Sequence, residues 1–128
     1  MAEPSPIGGP MRLLERRDDG LTATYHVGAD EPVLAGHFPG FPIFPGVCLI
    51  ECTHQAALLH FPAGTTLAAV ERVRFHAPVF PGDDVTVRLS VNGWTCRAEV
   101  HAQAGNGDAP REAALIRLRY QGVPGGPD

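Results

Sequence analysis

A chain of 128 residues has room for one domain with one core, and too little for a cofactor domain plus a substrate domain. Its formal charge of −4 and pI near 5.8 give no basic footprint of the kind that phosphate backbones or anionic membranes attract, so neither is an expected partner. All ten basic residues are Arg, which excludes lysine Schiff-base chemistry and leaves guanidinium forks suited to phosphate or carboxylate.

Residues 1–10 are rich in Pro and Gly with almost nothing to bury and read as a flexible tail. Residues 122–128 have the same character, which leaves one domain over 11–121. The start has no charged segment followed by an apolar run, and no later stretch reaches membrane length without a Pro or a charge. Cys48 and Cys52 are spaced as helix neighbours, not as a metal knuckle, and read as small buried apolar residues. The expected setting is soluble, reducing and cytoplasmic.

Residues 11–17 and 21–27 flank Asp18-Asp19-Gly20, a turn signal, and predict a first hairpin. Ala23, Tyr25 and Val27 alternate with Thr24 and His26 as in a half-buried strand. Repeated prolines then forbid helix and central strand, so residues 36–45 are expected to be an ordered loop. Pro45 sits where a helix can begin, and a helix is predicted from Gly46 to about His60. Val47, Ile50, Ala57 and Phe61 make one apolar stripe, with Leu49, Ala56, Leu58 and Leu59 on other faces, so the helix is expected to be buried all round.

Beyond residues 62–64 the period becomes two. Strands are predicted over 67–76, through Val85, Val87, Leu89 and Val91, through Cys96, Ala98, Val100 and Ala102, and through Ala114, Ile116, Leu118 and Tyr120. Residues 81–84 read as a turn and Asn92-Gly93 as a hairpin turn. Two strands, a loop, one helix and four strands predict an α+β fold, an antiparallel sheet wrapped around one helix.

Two proton-transfer side chains stand close to that helix start: His37 in the proline-rich loop and Glu51, the lone carboxylate of the helix. A helix N-terminus suits a developing oxyanion, and a carboxyl among apolar neighbours is expected to hold its proton more tightly. Plainer readings stand beside these. His37 can brace a tight loop, and Glu51 can be a paired acid at a subunit interface. Gln55 either orients Glu51 or satisfies backbone, and His54, three residues from Glu51, is first a packing or hydrogen-bonding residue. Zinc held by His37, Glu51 and His54 suits the residue types, but the spacing matches no ligand motif. His26, His76 and His101 read as solvent-facing or interface residues.

The run Gly36-His37-Phe38-Pro39-Gly40, then Pro42-Ile43, Pro45-Gly46-Val47, Glu51 and Gln55, resembles the signature of the 3-hydroxyacyl-(acyl carrier protein) dehydratases, the FabZ-like hot-dog family. Glu31-Pro32 before it and Arg74-Phe75, Pro78-Val79 and Pro81-Gly82-Asp83 after it extend the match over roughly residues 11–120. The resemblance implies a hot-dog fold and a homodimer joined through its sheets, often assembled further, with composite active sites. It implies His37 as the base at C2 and Glu51 of the partner subunit as the acid for the C3 hydroxyl, with the Gly46 N–H on the thioester carbonyl. Val47, Gln55, Phe38, Phe41, Phe44 and His54 would contact substrate. That substrate would be carried on phosphopantetheine by acyl carrier protein or coenzyme A, with no metal or redox cofactor. Arg72 and Arg74 fall near the family's tunnel mouth, where the resemblance makes them candidates to receive the phosphopantetheine or an acidic carrier protein; the plainer reading is of solvated surface arginines. The implied reaction is loss of water from a 3-hydroxyacyl thioester to give the trans-2-enoyl thioester, in fatty-acid or polyketide-type biosynthesis. Cys52 and His54 stand where the family has small residues, and the opening segment is short, which favours a specialised pathway. A hot-dog thioesterase, with Glu51 activating water, and a non-catalytic acyl-binding subunit are the alternatives.

Overall fold

The computed structural model describes residues 7–29, 31 and 43–122. Among them are six strands and one helix: β1 (Arg12–Arg17), β2 (Gly20–His26), α1 (Gly46–His60), β3 (Thr66–Phe75), β4 (Asp84–Asn92), β5 (Thr95–Gln103) and β6 (Arg111–Gln121). The strands form one sheet in the order β1-β2-β4-β5-β6-β3, with every neighbouring pair antiparallel. The expected α+β arrangement is therefore present, with α1 lying across the middle of one face against β2, β4, β5 and β6.

Alternation decides which side chains meet the helix. Leu21, Ala23 and Tyr25 on β2, Val85, Val87 and Leu89 on β4, Cys96, Ala98, Val100 and Ala102 on β5, and Ile116, Leu118 and Tyr120 on β6 are all buried. The helix answers with small residues: Cys48, Cys52, Thr53, Ala56 and Ala57, with Leu49, form its buried side. Short side chains let the helix axis approach the sheet closely, and the Thr53 hydroxyl avoids an unpaired burial by donating to the Leu49 carbonyl at 2.9 Å. The helix is not buried all round as its composition suggested. Val47 is 61% exposed and Leu58 42%, because a single sheet covers only one side of a cylinder.

Three further expectations change. Ile7, placed in a tail, is buried, and the Gly8 N–H donates to Tyr25 Oη at 2.8 Å and to Glu31 Oε2 at 3.0 Å. The packed part of the chain thus begins by residue 7. Glu31, buried itself, also accepts the Tyr25 hydroxyl, so the cost of burying a carboxylate is offset by hydrogen bonds that dock this segment. Gly20 is the first residue of β2, and a side chain there would place its Cβ 1.9 Å from the Leu89 carbonyl oxygen; close strand approach, more than turn geometry, requires glycine. Pairing of Asn92 with Thr95 makes Gly93-Trp94 the two-residue turn, one position later than expected, with Gly93 at φ +61°.

All three cysteines are buried and none is in a disulfide, as expected of small apolar residues. Burial pushes the Cys48 thiol up to about 11 and Cys96 to about 12, and it raises Cys52 as well. No thiol is expected to react with a small disulfide reagent at pH 8 until the protein is unfolded, when three thiols per chain appear. The folded chain keeps these protons longer than the unfolded one, so their contribution is intact below the ordinary thiol value of 9.0 and is lost as pH rises toward the folded values.

Candidate active site

The helix start is held in place by the residue before it. The Phe44 N–H donates to the Val79 carbonyl at 2.7 Å, and the buried Phe44 ring faces Tyr25 at 6.3 Å between centroids. Pro45 follows as N-cap with φ −63°, already suited to helix entry. It provides no side-chain cap, and the first turn contains no acidic residue. The Cys48 N–H turns back to the Pro45 carbonyl at 2.9 Å. No hydrogen bond of the described residues uses the N–H of Gly46 or Val47. Two donors therefore face outward at the positive end of the helix dipole, the arrangement that stabilises an oxyanion.

Beside this helix end lies a cavity of about 430 Å³, lined by Ile43, Phe44, Gly46, Leu49, Phe75 and Val79 among others. Phe75 comes from the end of β3 and is 54% exposed. Its ring reaches Gly46 so closely that a Cβ there would stand 2.6 Å from Phe75 Cζ. Glycine thus keeps the helix start open to the cavity.

Glu51 lies five residues further on, about 7.5 Å along the helix axis. It is half-buried at the margin between the sheet-facing side and the open side that carries Val47 and Leu58. Gln55 Nε2 donates to Glu51 Oε2 at 2.9 Å, one helical turn along the same face.

His54 is also half-buried, and its Nδ1 meets Tyr120 Oη at 2.7 Å with the rings stacked at 5.7 Å and 7°. Burial holds the Tyr120 hydroxyl well above its usual range, so it is the donor and Nδ1 the acceptor. Burial also lowers the His54 imidazole, against an opposing pull from Glu51, so the neutral form with its proton on Nε2 is favoured. Phe61 at 5.0 Å and the Trp94 carbonyl, which accepts the Tyr120 N–H at 2.8 Å, fix Tyr120 from behind. The hydrogen-bonding reading of His54 is the one observed.

Tyr120→Phe keeps the ring but leaves Nδ1 without its donor, and is expected to cost about 1–2 kcal/mol in urea unfolding. The unfolded chain binds the His54 proton before the folded one, so stability is complete above the ordinary value of 6.5 and falls as pH drops below it. His54→Gln is expected to flatten that fall between pH 7 and pH 5, read from urea midpoints.

His37, Phe38 and Phe41 lie outside the described residues, as do residues 36–42 of the expected ordered loop. Val47 sits on the open helix side, and Phe44 joins the core while lining the cavity. Arg72 and Arg74 are exposed, paired in register with Arg117 and Leu115 on the sheet face turned away from α1. His26 is exposed and pairs with Asp84 at 2.9 Å, and His76 stands 3.9 Å from Glu112. Among the described residues no group of three His, Cys, Asp or Glu could hold a metal ion.

Phe75 and Tyr120 were not named as site residues from the sequence. Alternation did place Tyr120 inward, but nothing local connects it to His54, 66 residues away. The one available signal at Phe75 is its place at the end of a strand that leads to Pro78-Val79, the pair that receives Phe44.

A family model described as ApeI-like, ApeI dehydratase, matches residues 14–108. A 3-hydroxyacyl-(acyl carrier protein) dehydratase FabZ of Ehrlichia chaffeensis is 31% identical over 91% of this chain and 90% of its own length. The FabZ of Koribacter versatilis is likewise 31% identical, over 93% of this chain and 85% of that protein. Among solved structures, the dehydratase heterocomplex ApeI:P from Xenorhabdus doucetiae superimposes with a TM-score of 0.70 at 16% identity, covering 85% of this chain and 93% of that one. At such identity the likeness establishes the hot-dog fold.

Proposed function

The chain belongs to the FabZ-like 3-hydroxyacyl-(acyl carrier protein) dehydratases, and from that premise we propose that it removes water from a 3-hydroxyacyl thioester held on acyl carrier protein. One observation carries the reading at the level of residues: a Gln55-oriented carboxyl, Glu51, lies one to two turns from an uncapped helix start that opens on an apolar cavity. In the reaction His37 takes the proton from C2, and the C2–H electron pair forms the C2=C3 double bond. The C3–O bond breaks, and Glu51 in its acid form gives its proton to the departing hydroxyl, which leaves as water. The Gly46 N–H receives the thioester carbonyl oxygen as it gains enolate charge. Run this way, the chemistry uses acid–base groups and a backbone donor and calls for no metal or redox cofactor.

A homodimer supplies what one chain leaves open. Val47 and Leu58 on the bare side of α1, and Val70 at 45% and Phe75 at 54% exposure on the edge strand β3, are apolar surfaces suited to a second copy. In the proposed dimer, Glu51 of one subunit and His37 of the other act on the same substrate. Light scattering is expected to give twice 13.6 kDa or a multiple of that mass. A stable monomer would point to a different partner chain. No described helix is long and apolar enough to cross a membrane, and three cysteines outside any disulfide fit a reducing cytoplasm. His54, with its tyrosine partner, fits a specialised acyl or polyketide pathway.

The test is incubation with a 3-hydroxybutyryl carrier thioester, and with its crotonyl counterpart for hydration. An 18-dalton mass change, about one water, is expected in either direction. Unchanged mass with short and long acyl chains would overturn the reading, and release of free thiol would replace it with a thioesterase.

A further inference from the structure

The open side of α1 carries two polar side chains in an otherwise apolar strip. Val47, Glu51, His54 and Leu58 recur at the spacing that puts all of them on one stripe of a helix. Val47 and Leu58, at its ends, are the exposed apolar residues of that side. Glu51 has a place in the reaction as the acid. His54, half-buried between Glu51 and Leu58, has none, yet its ring is firmly held: Nδ1 accepts the Tyr120 hydroxyl at 2.7 Å, and the two rings stack 7° from parallel.

The bond to Tyr120 fixes the imidazole in one tautomer. With Nδ1 an acceptor, the neutral ring has its proton on Nε2, which then only donates. Nε2 makes no hydrogen bond among the described residues. It is not sealed in either, since no buried side-chain nitrogen or oxygen of the described residues lacks a partner. The ring therefore presents one oriented N–H donor at the surface of the stripe, where solvent can reach it. Side chains three residues apart on a helix stand about 5–6 Å from each other at Cβ. A substrate held with its C3 hydroxyl at Glu51 thus brings nearby chain atoms within reach of Nε2. Its carbonyl is taken by Gly46, so those atoms lie beyond C3.

We propose that the His54 Nε2–H group is a specificity donor for acyl chains that carry an uncharged acceptor oxygen, a ketone, hydroxyl or ether, at C5 or C7. The inference rests on the dehydratase reading for the position of C3, and on tautomer and stripe for the donor. C5 and C7 are chosen because alternate carbons of an extended chain turn the same edge toward the stripe as C3. A plain alkyl chain laid there strips solvent from the N–H and offers no acceptor, and a site built around a donor rejects the analogue that leaves it unpaired. A carboxylate at the same place is disfavoured, because an ionised Glu51 stands one helical turn away. A substituent that only donates finds no acceptor on the ring, since Nδ1 is occupied by Tyr120.

The test uses two pairs of N-acetylcysteamine thioesters matched in shape: 3-hydroxy-5-methoxyoctanoyl beside 3-hydroxy-5-ethyloctanoyl, and 3-hydroxy-7-oxooctanoyl beside 3-hydroxy-7-methyloctanoyl. In wild type, kcat/KM is expected to favour the oxygenated member of at least one pair by at least about ten-fold. His54→Leu replaces the donor by an apolar side chain, so it is expected to lower the rate on the oxygenated member, raise it on the plain one and bring their ratio to one or below. His54→Gln keeps an N–H donor and an oxygen for the Tyr120 hydroxyl, and is expected to retain part of the preference. Tyr120→Phe releases the tautomer and is expected to reduce the ratio.

A wild-type ratio near one for both pairs, or equal losses on both members in His54→Leu, overturns the proposal, while dehydration of any member leaves the dehydratase reading intact. Should wild type dehydrate none of the four, the corresponding amides titrated by calorimetry still decide: tighter binding of an oxygenated member, lost in His54→Leu, upholds the donor, and equal or absent binding overturns it. Circular dichroism guards against a misfolded His54→Leu, in which case the wild-type ratio and its reduction in Tyr120→Phe decide by themselves.

Discussion

Glu51→Gln is expected to lower kcat for dehydration by about 10³-fold, within the range a positioned general acid contributes. The substitution is nearly isosteric, and its amide oxygen can still accept the hydrogen bond that Gln55 now gives to Glu51 Oε2 at 2.9 Å. Folding and substrate binding are therefore preserved, and the loss falls on kcat with KM little changed. Gln55→Ala separates orientation from acidity: it keeps the proton donor but frees the carboxyl, and a smaller loss of about ten-fold is expected. Steady-state rates with a carrier thioester, beside circular dichroism spectra to confirm folding, check both. A Glu51→Gln enzyme with wild-type kcat would remove Glu51 from the chemistry.

Gly46→Ala is expected to reduce kcat/KM by about 10²-fold, although alanine is the better helix former. The reason is steric. The new methyl would stand 2.6 Å from Phe75 Cζ, so either the ring swings into the cavity or the helix start moves away. Both outcomes displace the N–H that receives the thioester oxygen. Phe75→Ala removes the clash, so the two changes are not additive: the Gly46→Ala loss measured in the Phe75→Ala background is expected to shrink well below 10²-fold, by about ten-fold. Equal losses in both backgrounds would assign the glycine to backbone freedom instead of to space for Phe75. Thermal stability of the single variant is expected to match or exceed wild type, which distinguishes a site effect from misfolding.

The candidate site was legible in the sequence as residue types on a helix, less so as an arrangement. Glu51, Gln55 and Gly46 were named from the motif, and the helix that joins them runs over the residues predicted. The partner of His54 was not legible. Tyr120 arrives from β6 by sheet register, and no pattern within α1 refers to it. Helix burial misled for a related reason. Val47 and Leu58 look like core residues by composition, but burial depends on what covers a face, and the chain's own sheet covers only the side with Cys48, Cys52, Ala56 and Ala57.

By itself the sequence determined the order of elements, because alternation of apolar residues and the position of Pro45 act over a few residues and need no distant partner. It also determined the family, through a motif whose prolines and glycines are dictated by local backbone geometry. Only the tertiary structure decided which side of α1 stays open, why Gly20 admits no side chain and one at Gly46 must displace Phe75, and how Arg72, Arg117 and Arg97 come to share one row. Those outcomes depend on strand register and on close approach between segments far apart in the chain. A one-residue slip in pairing would turn the arginine row and the core to opposite faces, so it is the packed sheet that sets them.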